Sequence, residues 1–112
     1  MKPDKISLGG TFRLGSQQVA RIGYGAMQLR NCAADPAKGI AILQRAIALG
    51  VDHIDTAQFY GNGFVNELIR KAITPAQGVV VSSKVGADPD PEARVPIRLA
   101  QRPEQLRASV EA

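Results

Sequence analysis

Cysteine, histidine and tryptophan are nearly missing from this sequence, whose 112 residues include one cysteine, one histidine and no tryptophan. A lone Cys32 cannot close an internal disulfide, and Cys32 with His53 cannot supply the four ligands of a structural zinc site. Long apolar runs are missing too. Nothing approaches the roughly 20 apolar residues of a membrane-spanning helix, and Met1 to Gly10 holds no apolar core of signal-peptide length. The expectation is a cytoplasmic protein with no membrane partner. Its length and 45% hydrophobic content fit one domain over residues 1–112 and exclude two full-sized ones.

Clustered charge is also lacking. The formal net charge of +4 lies wholly in the first third, where Lys2, Lys5, Arg13, Arg21 and Arg30 stand against Asp4 and are spread singly. The only aromatics are Phe12, Tyr24, Phe59, Tyr60 and Phe64, so no basic stripe alternates with stacking rings, and a nucleic-acid partner is not expected. Nothing in the sequence sets the oligomeric state.

What is present is a repeating order of elements. Thr11 to Leu14 and Gln17 to Tyr24 read as strand-like stretches on either side of the turn pair Gly15-Ser16, a hairpin running into a longer strand. Asp35-Pro36 supplies a helix start, with the Asp as N-cap and the Pro at the first helical position. Ile40, Leu43 and Ile47 then recur at helical spacing, widened by Ile42, Ala46 and Leu49, and Gly50 stands at the C-terminal cap. Val51 to Asp55 alternates as a short strand. After a loop containing Gly61-Asn62-Gly63, a second helix from Phe64 to Ile73 presents Val65, Leu68, Ile69 and Ala72 and stops at Thr74-Pro75. Gly78 to Ser83 is a β-branched run suited to a strand buried on both faces. Residues 85–102 contain Gly86, Pro89, Pro91 and Pro96 and read as a long loop. Pro103 opens a third helix, with Leu106 and Val110 one turn apart.

Strand-helix repeats of this kind build a parallel sheet with right-handed crossovers. A doubly wound dinucleotide fold would carry Gly-x-Gly-x-x-Gly after its first strand, and Gly23-Tyr24-Gly25-Ala26-Met27-Gln28 fails at the third position. In a (β/α)8 barrel the hairpin would plug the bottom and functional residues would follow strand ends. Of the two the barrel pattern fits better: α/β, the N-terminal part of a (β/α)8 TIM barrel preceded by a β-hairpin, and incomplete, since a full barrel takes about 250 residues.

The charged positions fit that barrel. Asp55 ends the second strand, Tyr60 lies in the following loop, and Lys84 follows the third strand directly. Neighbouring parallel strands run about 4.8 Å apart, so residues at matching ends can meet. Lys84, held by Asp55, would make the Tyr60 phenol easier to ionise and fit it to give and take a proton near neutral pH. Position alone leaves this equal to an ordinary ion pair beside a capping tyrosine.

The local sequence adds to this. Asp55-Thr56-Ala57-Gln58-Phe59-Tyr60-Gly61 resembles the D-T-A-x-x-Y-G signature of the aldo-keto reductases. Asn66-Glu67-Leu68-Ile69 resembles that family's following helix, and Val81-Ser82-Ser83-Lys84 its strand ending in a lysine. Arg21-Ile22-Gly23-Tyr24-Gly25-Ala26-Met27 is similar to its first strand and loop, and Arg102-Pro103-Glu104-Gln105-Leu106-Arg107 to the start of its third helix. The resemblance implies reduction of aldehydes and ketones, or the reverse, with NADP(H) as cofactor, a small carbonyl compound as substrate and no metal. It implies Tyr60 as general acid/base, Lys84 as the group that tunes it, and Asp55 as partner of Lys84 and of the nicotinamide ribose. Gly25, Ala26 and Met27 match the loop beside the nicotinamide, where backbone contacts are expected.

The family's catalytic histidine follows a fourth strand that this sequence does not reach, so these 112 residues are expected to be an inactive fragment. His53 lies two residues before Asp55 on the same side of its strand, about 6.6 Å deeper, and reads as a hydrogen-bonded core histidine. Arg94, Arg98 and Arg102 share a spacing of four, but Pro96 breaks any helix through them, and they read as solvated loop residues, with a substrate or cofactor-phosphate rim at the barrel mouth as the alternative. Cys32 has no base nearby and reads as structural. Two further readings stay open: a noncatalytic half-barrel binding module, and a dinucleotide-binding half-domain.

Overall fold

The computed structural model describes residues 8–89 and 97–112. Strands β1 (Thr11–Leu14) and β2 (Gln17–Ala20) pair antiparallel, with Thr11 opposite Ala20 and Leu14 opposite Gln17. Gly15 makes the turn at φ +60, a conformation in which a Cβ is strained. The expected long strand from Gln17 to Tyr24 is instead two pieces, because Arg21 and Ile22 donate their N–H groups back to Gly10 and Leu8 and so leave the path toward the sheet. Strand β3 (Tyr24–Gly25) begins after this break.

Three short strands form the central parallel sheet in the order β3, β4 (His53–Asp55), β5 (Val80–Ser82). Gly25 and Ser82 stand in register on either side of Asp55. Side chains alternate across a strand, so Ile54 points to one face while His53 and Asp55 point to the other. Ile54 is buried against the helices, and this partition decides where the polar groups go.

Helix α1 (Pro36–Ala48) starts as its sequence dictates, with Asp35 accepting from the Lys38 N–H at 3.4 Å and Pro36 in the first turn. It ends at Gly50, whose φ of +112 suits the residue that leaves a helix. Helix α2 (Phe64–Ala72) buries Val65, Leu68, Ile69 and Ala72. These join Ala26, Leu29, Leu43 and Ile54 in one core between sheet and helices. The two helices meet at Gly39, where a Cβ would come within 2.6 Å of Leu68 Cδ1, so a larger residue would force the Leu68 side chain to shift. Leu49, expected on the apolar face, is 52% exposed because it follows the last turn, where the helix no longer rests on the sheet.

Two other expectations are corrected. β5 is not buried on both faces: Val81 is 42% exposed, since among the described residues no helix covers that part of the sheet. The stretch 85–102 is not all loop, because β6 (Ala87–Pro89) and β7 (Ile97–Leu99) form an antiparallel ribbon closed by Ala100 N–H on the Gly86 carbonyl at 3.0 Å. A two-stranded ribbon consists only of edges, where the missing N–H of Pro89 is tolerated. The part of that stretch from 90 to 96, Arg94 included, lies outside the described residues. Arg98 stands on β7 and Arg102 caps helix α3 (Pro103–Glu111), so they share no helical face. Helix α3 buries none of its residues. The described residues form an α/β arrangement with no closed barrel, and none of their helices is long and apolar enough to cross a membrane.

The hairpin is tied to the sheet at the end opposite Asp55. Asp52, only 4% exposed, accepts the N–H of Ala20 through Oδ1 at 2.9 Å. Asp52→Ala strands that buried donor and is expected to lower the unfolding free energy by about 1–3 kcal/mol. Asp52→Asn keeps an acceptor and should lose much less. Urea denaturation of the three proteins checks this, and equal midpoints for wild type and Asp52→Ala would refute the tie.

Candidate active site

Asp55, Tyr60 and Lys84 come together at the C-terminal end of the parallel strands. Asp55 closes β4, Lys84 stands just beyond β5, and the intervening loop is tied to both neighbouring strands. Thr56 N–H donates to Ser82 O at 2.8 Å, and Ala26 N–H donates to Asp55 O at 2.9 Å. The loop then turns back, Tyr60 N–H bonding Ala57 O at 3.1 Å, and its way into α2 is a left-handed stretch over Gly61, Asn62 and Gly63, each at positive φ. Gly63 is the residue before the helix, at φ +89.

Lys84 Nζ is the hub. It lies 3.1 Å from Asp55 Oδ2, 3.2 Å from the Thr56 carbonyl and 2.8 Å from Tyr60 Oη. An ammonium has three protons and accepts nothing, so these three oxygens use all of them. Because Lys84 donates to the phenol oxygen, the hydroxyl proton of Tyr60 must point elsewhere, toward whatever binds above. Nζ is 4.9 Å from the ring centroid, so the ammonium also lies within cation–π range of the phenol it bonds. Phe59 steadies the phenol from the side, its ring edge-on to Tyr60 at 5.3 Å and 84°.

The ammonium is held in its charged form. Partial burial alone would lower the pKa of Lys84, but its hydrogen bonds to Tyr60 and Asp55 and the carboxylate's charge outweigh that and raise it. Tyr24 is the contrasting phenol. Burial, with a smaller contribution from Cys32, raises its pKa and so keeps its proton in place. Cys32 is a free, half-buried thiol packed on the core, in keeping with a structural role. His53 lies below Asp55 on the same face of the sheet, its Nε2 3.0 Å from Ser82 Oγ. It is hydrogen-bonded as expected, but only half-buried, because that face of the sheet is open.

The residues expected beside a cofactor divide into two kinds. Gly25 is exposed and in register with Asp55, and Met27 is 40% exposed. Ala26 is fully buried, with its N–H on Asp55 and its carbonyl taken by the Leu29 N–H at 3.0 Å, so it supports the loop from beneath. No Cβ-sized obstacle lies within 4 Å of Gly25. An open backbone, an exposed thioether and a half-exposed carboxylate at one sheet end suit a flat ring and its hydroxylated sugar. Among the described residues, no group of three or more His, Cys, Asp or Glu could hold a metal ion.

Two functional features were not read from the sequence. One is the carbonyl of Thr56, which no side-chain pattern announces. The other is Asn66, whose amide bonds Thr56 and Gln58. The signals were its place in the Asn66-Glu67-Leu68-Ile69 stretch and an Asn among the first helical residues behind a glycine that has no side chain to cap with.

Known proteins resemble this chain over most of its length. The model of the Aldo/keto reductase family matches residues 21–112. Pyridoxine 4-dehydrogenase of Escherichia coli (strain K12) is 43% identical over 83 residues, 69% of this chain and 29% of that protein. An uncharacterized oxidoreductase of Schizosaccharomyces pombe is 34% identical over 85 residues, 71% of this chain and 28% of its own length. A probable aldo-keto reductase 1 of Glycine max is 31% identical over 81 residues, 66% and 23% respectively. The chain thus spans less than a third of the curated relatives it matches. With the family model covering most of its length, the chain belongs to the aldo/keto reductase family.

Proposed function

We propose that residues 1–112 are the N-terminal part of the (β/α)8 barrel of a cytoplasmic, NADP(H)-dependent oxidoreductase that interconverts small aldehydes or ketones and alcohols. Further chain would complete the cofactor site and supply a histidine, and these residues alone would not turn over. The observation that carries this is the threefold bonding of Lys84, which leaves the Tyr60 proton directed away from the lysine. Bound NADP(H) supplies the hydride for carbonyl reduction.

The chain's own residues handle the proton. As the substrate oxygen gains charge, the Tyr60 hydroxyl gives it the proton and becomes a phenolate, which the Lys84 ammonium 2.8 Å away stabilises. Asp55 keeps that ammonium in place through Oδ2 and offers its other oxygen to a sugar hydroxyl. In the oxidative direction the phenolate takes the alcohol proton back. Gly25 and Met27 form the exposed shelf beside Asp55, and Ala26 anchors it. The name of the Escherichia coli relative supports an alcohol-aldehyde couple on a small aromatic ring as one substrate of this class.

The direct test mixes the full-length gene product with NADPH and benzaldehyde and follows nicotinamide absorbance. Aldehyde-dependent oxidation of NADPH is expected, with NADH a poorer donor. No turnover with aromatic and aliphatic aldehydes, ketones or the corresponding alcohols would reject the proposal.

A further inference from the structure

The loop that carries Asp55 and Tyr60 is gripped from helix α2 by a single side chain. Thr56, 2% exposed, donates its hydroxyl proton to Asn66 Oδ1 at 2.7 Å. The same amide donates through Nδ2 to Gln58 Oε1 at 2.9 Å. Asn66 therefore holds the residues on either side of Ala57, which is itself fully buried. At the third helical position an Asn, Gln or Glu side chain can return to the N-cap residue of its own helix. Here the N-cap is Gly63, with no side chain to complete such a box, and Asn66 directs both ends of its amide at the loop.

Thr56 links this grip to the catalytic cluster. Its carbonyl takes one of the three Lys84 protons at 3.2 Å, and its N–H is fixed on Ser82 O. A buried hydroxyl is costly to leave without an acceptor, and any shift of Thr56 that finds it a new one also moves the Thr56 carbonyl. On the far side, Gln58 anchors the turn through its carbonyl, which accepts the Gly63 N–H at 2.8 Å. Loss of either arm would change the separation of Asp55 from Tyr60 around a lysine that must reach both.

We propose that Asn66 is a positioning residue for this site: by bonding Thr56 and Gln58 together it sets the Thr56 carbonyl against Lys84 and fixes the span from Asp55 to Tyr60. The kinetic consequence rests on the reductase reading given above; the geometric one does not.

The test uses the full-length protein with Asn66→Ala, Thr56→Val and Thr56→Ser. With NADPH and benzaldehyde, Asn66→Ala and Thr56→Val are each expected to lower kcat about tenfold while both KM values stay within about twofold, as misplacement of a held group does. Thr56→Ser, which keeps the hydroxyl, should recover most of the kcat that Thr56→Val loses. The second readout needs no turnover. Lysine-selective NMR, with the Lys84 signal assigned by its loss in Lys84→Met, should show the Lys84 ionisation midpoint falling by about half a pH unit or more in the first two variants, as its acceptors drift away. An unchanged Lys84 midpoint in Asn66→Ala overturns the proposal, as does Thr56→Ser behaving like Thr56→Val. If Asn66→Ala does not melt cooperatively, the Thr56→Val and Thr56→Ser pair decides, since only the serine keeps the hydroxyl that Asn66 accepts. If wild type shows no turnover, the reductase reading fails and the Lys84 midpoint still decides the role of Asn66.

Discussion

Replacing Tyr60 by phenylalanine in the full-length enzyme is expected to lower kcat by about 10²- to 10⁴-fold, the range a positioned general acid supplies. The substitution is clean. The ring of Tyr60 packs against the core and edge-on to Phe59, and phenylalanine keeps both contacts. Only the hydroxyl goes, and with it one of three acceptors around Lys84. That lysine is 42% exposed, so water can replace the lost oxygen and little stability should be lost. Binding should be nearly unaffected, because the proton is transferred only as the carbonyl oxygen gains charge; KM for NADPH should stay within a few-fold. Steady-state kinetics with benzaldehyde checks both expectations. Tyr60→Phe turning over at the wild-type rate would remove Tyr60 from the reaction, and with it the reading of the Lys84 cluster.

The parts of the fold legible in the sequence were those set by local chemistry. Asp35, Pro36 and Gly50 mark the ends of α1 because capping depends on a few neighbouring backbone groups. The apolar spacing of Val65, Leu68, Ile69 and Ala72 gave the buried face of α2 for the same reason. What could not be read depended on distant partners. Gln17 to Tyr24 has strand character throughout, and only the return bonds of Arg21 and Ile22 to Gly10 and Leu8 divide it. The β6–β7 ribbon was hidden because Pro89 argues against a strand, and its pairing across residues 90–96 has no local mark. Exposure of Val81 depends on what does or does not cover β5, which a β-branched pattern cannot report.

The candidate site divides in the same way. Asp55, Tyr60 and Lys84 could be placed from the rule that matching strand ends adjoin, and Gly25 beside Asp55 follows from the same register. The Thr56 carbonyl and the Asn66 amide could not, because backbone acceptors leave no trace in residue type and an Asn early in a helix has several ordinary uses.

Lys84→Met should separate catalysis from stability at this site. With the ammonium gone, nothing opposes the charge that collects on the Tyr60 oxygen when its proton leaves, and kcat is expected to fall by about 10²- to 10³-fold. Lys84→Arg should recover little, since a planar guanidinium keeps the charge but cannot hand one proton each to Asp55, Thr56 and Tyr60 from a single nitrogen. Stability should barely change, because the Asp55–Lys84 pair is about half exposed and such pairs contribute about 0–1 kcal/mol. The pH dependence has a definite sign. The pKa of Lys84 is raised on folding, so its contribution to stability is complete below the ordinary lysine value of about 10.4 and is lost as pH rises through the folded value. Between neutrality and about pH 9 the difference in unfolding free energy between wild type and Lys84→Met should therefore be flat, and it should shrink only above about pH 10. Over the same neutral range the kinetic defect should persist undiminished. A Lys84→Met enzyme that keeps most of its kcat but loses several kcal/mol of stability would show that the three bonds of Lys84 hold the loop and not the proton.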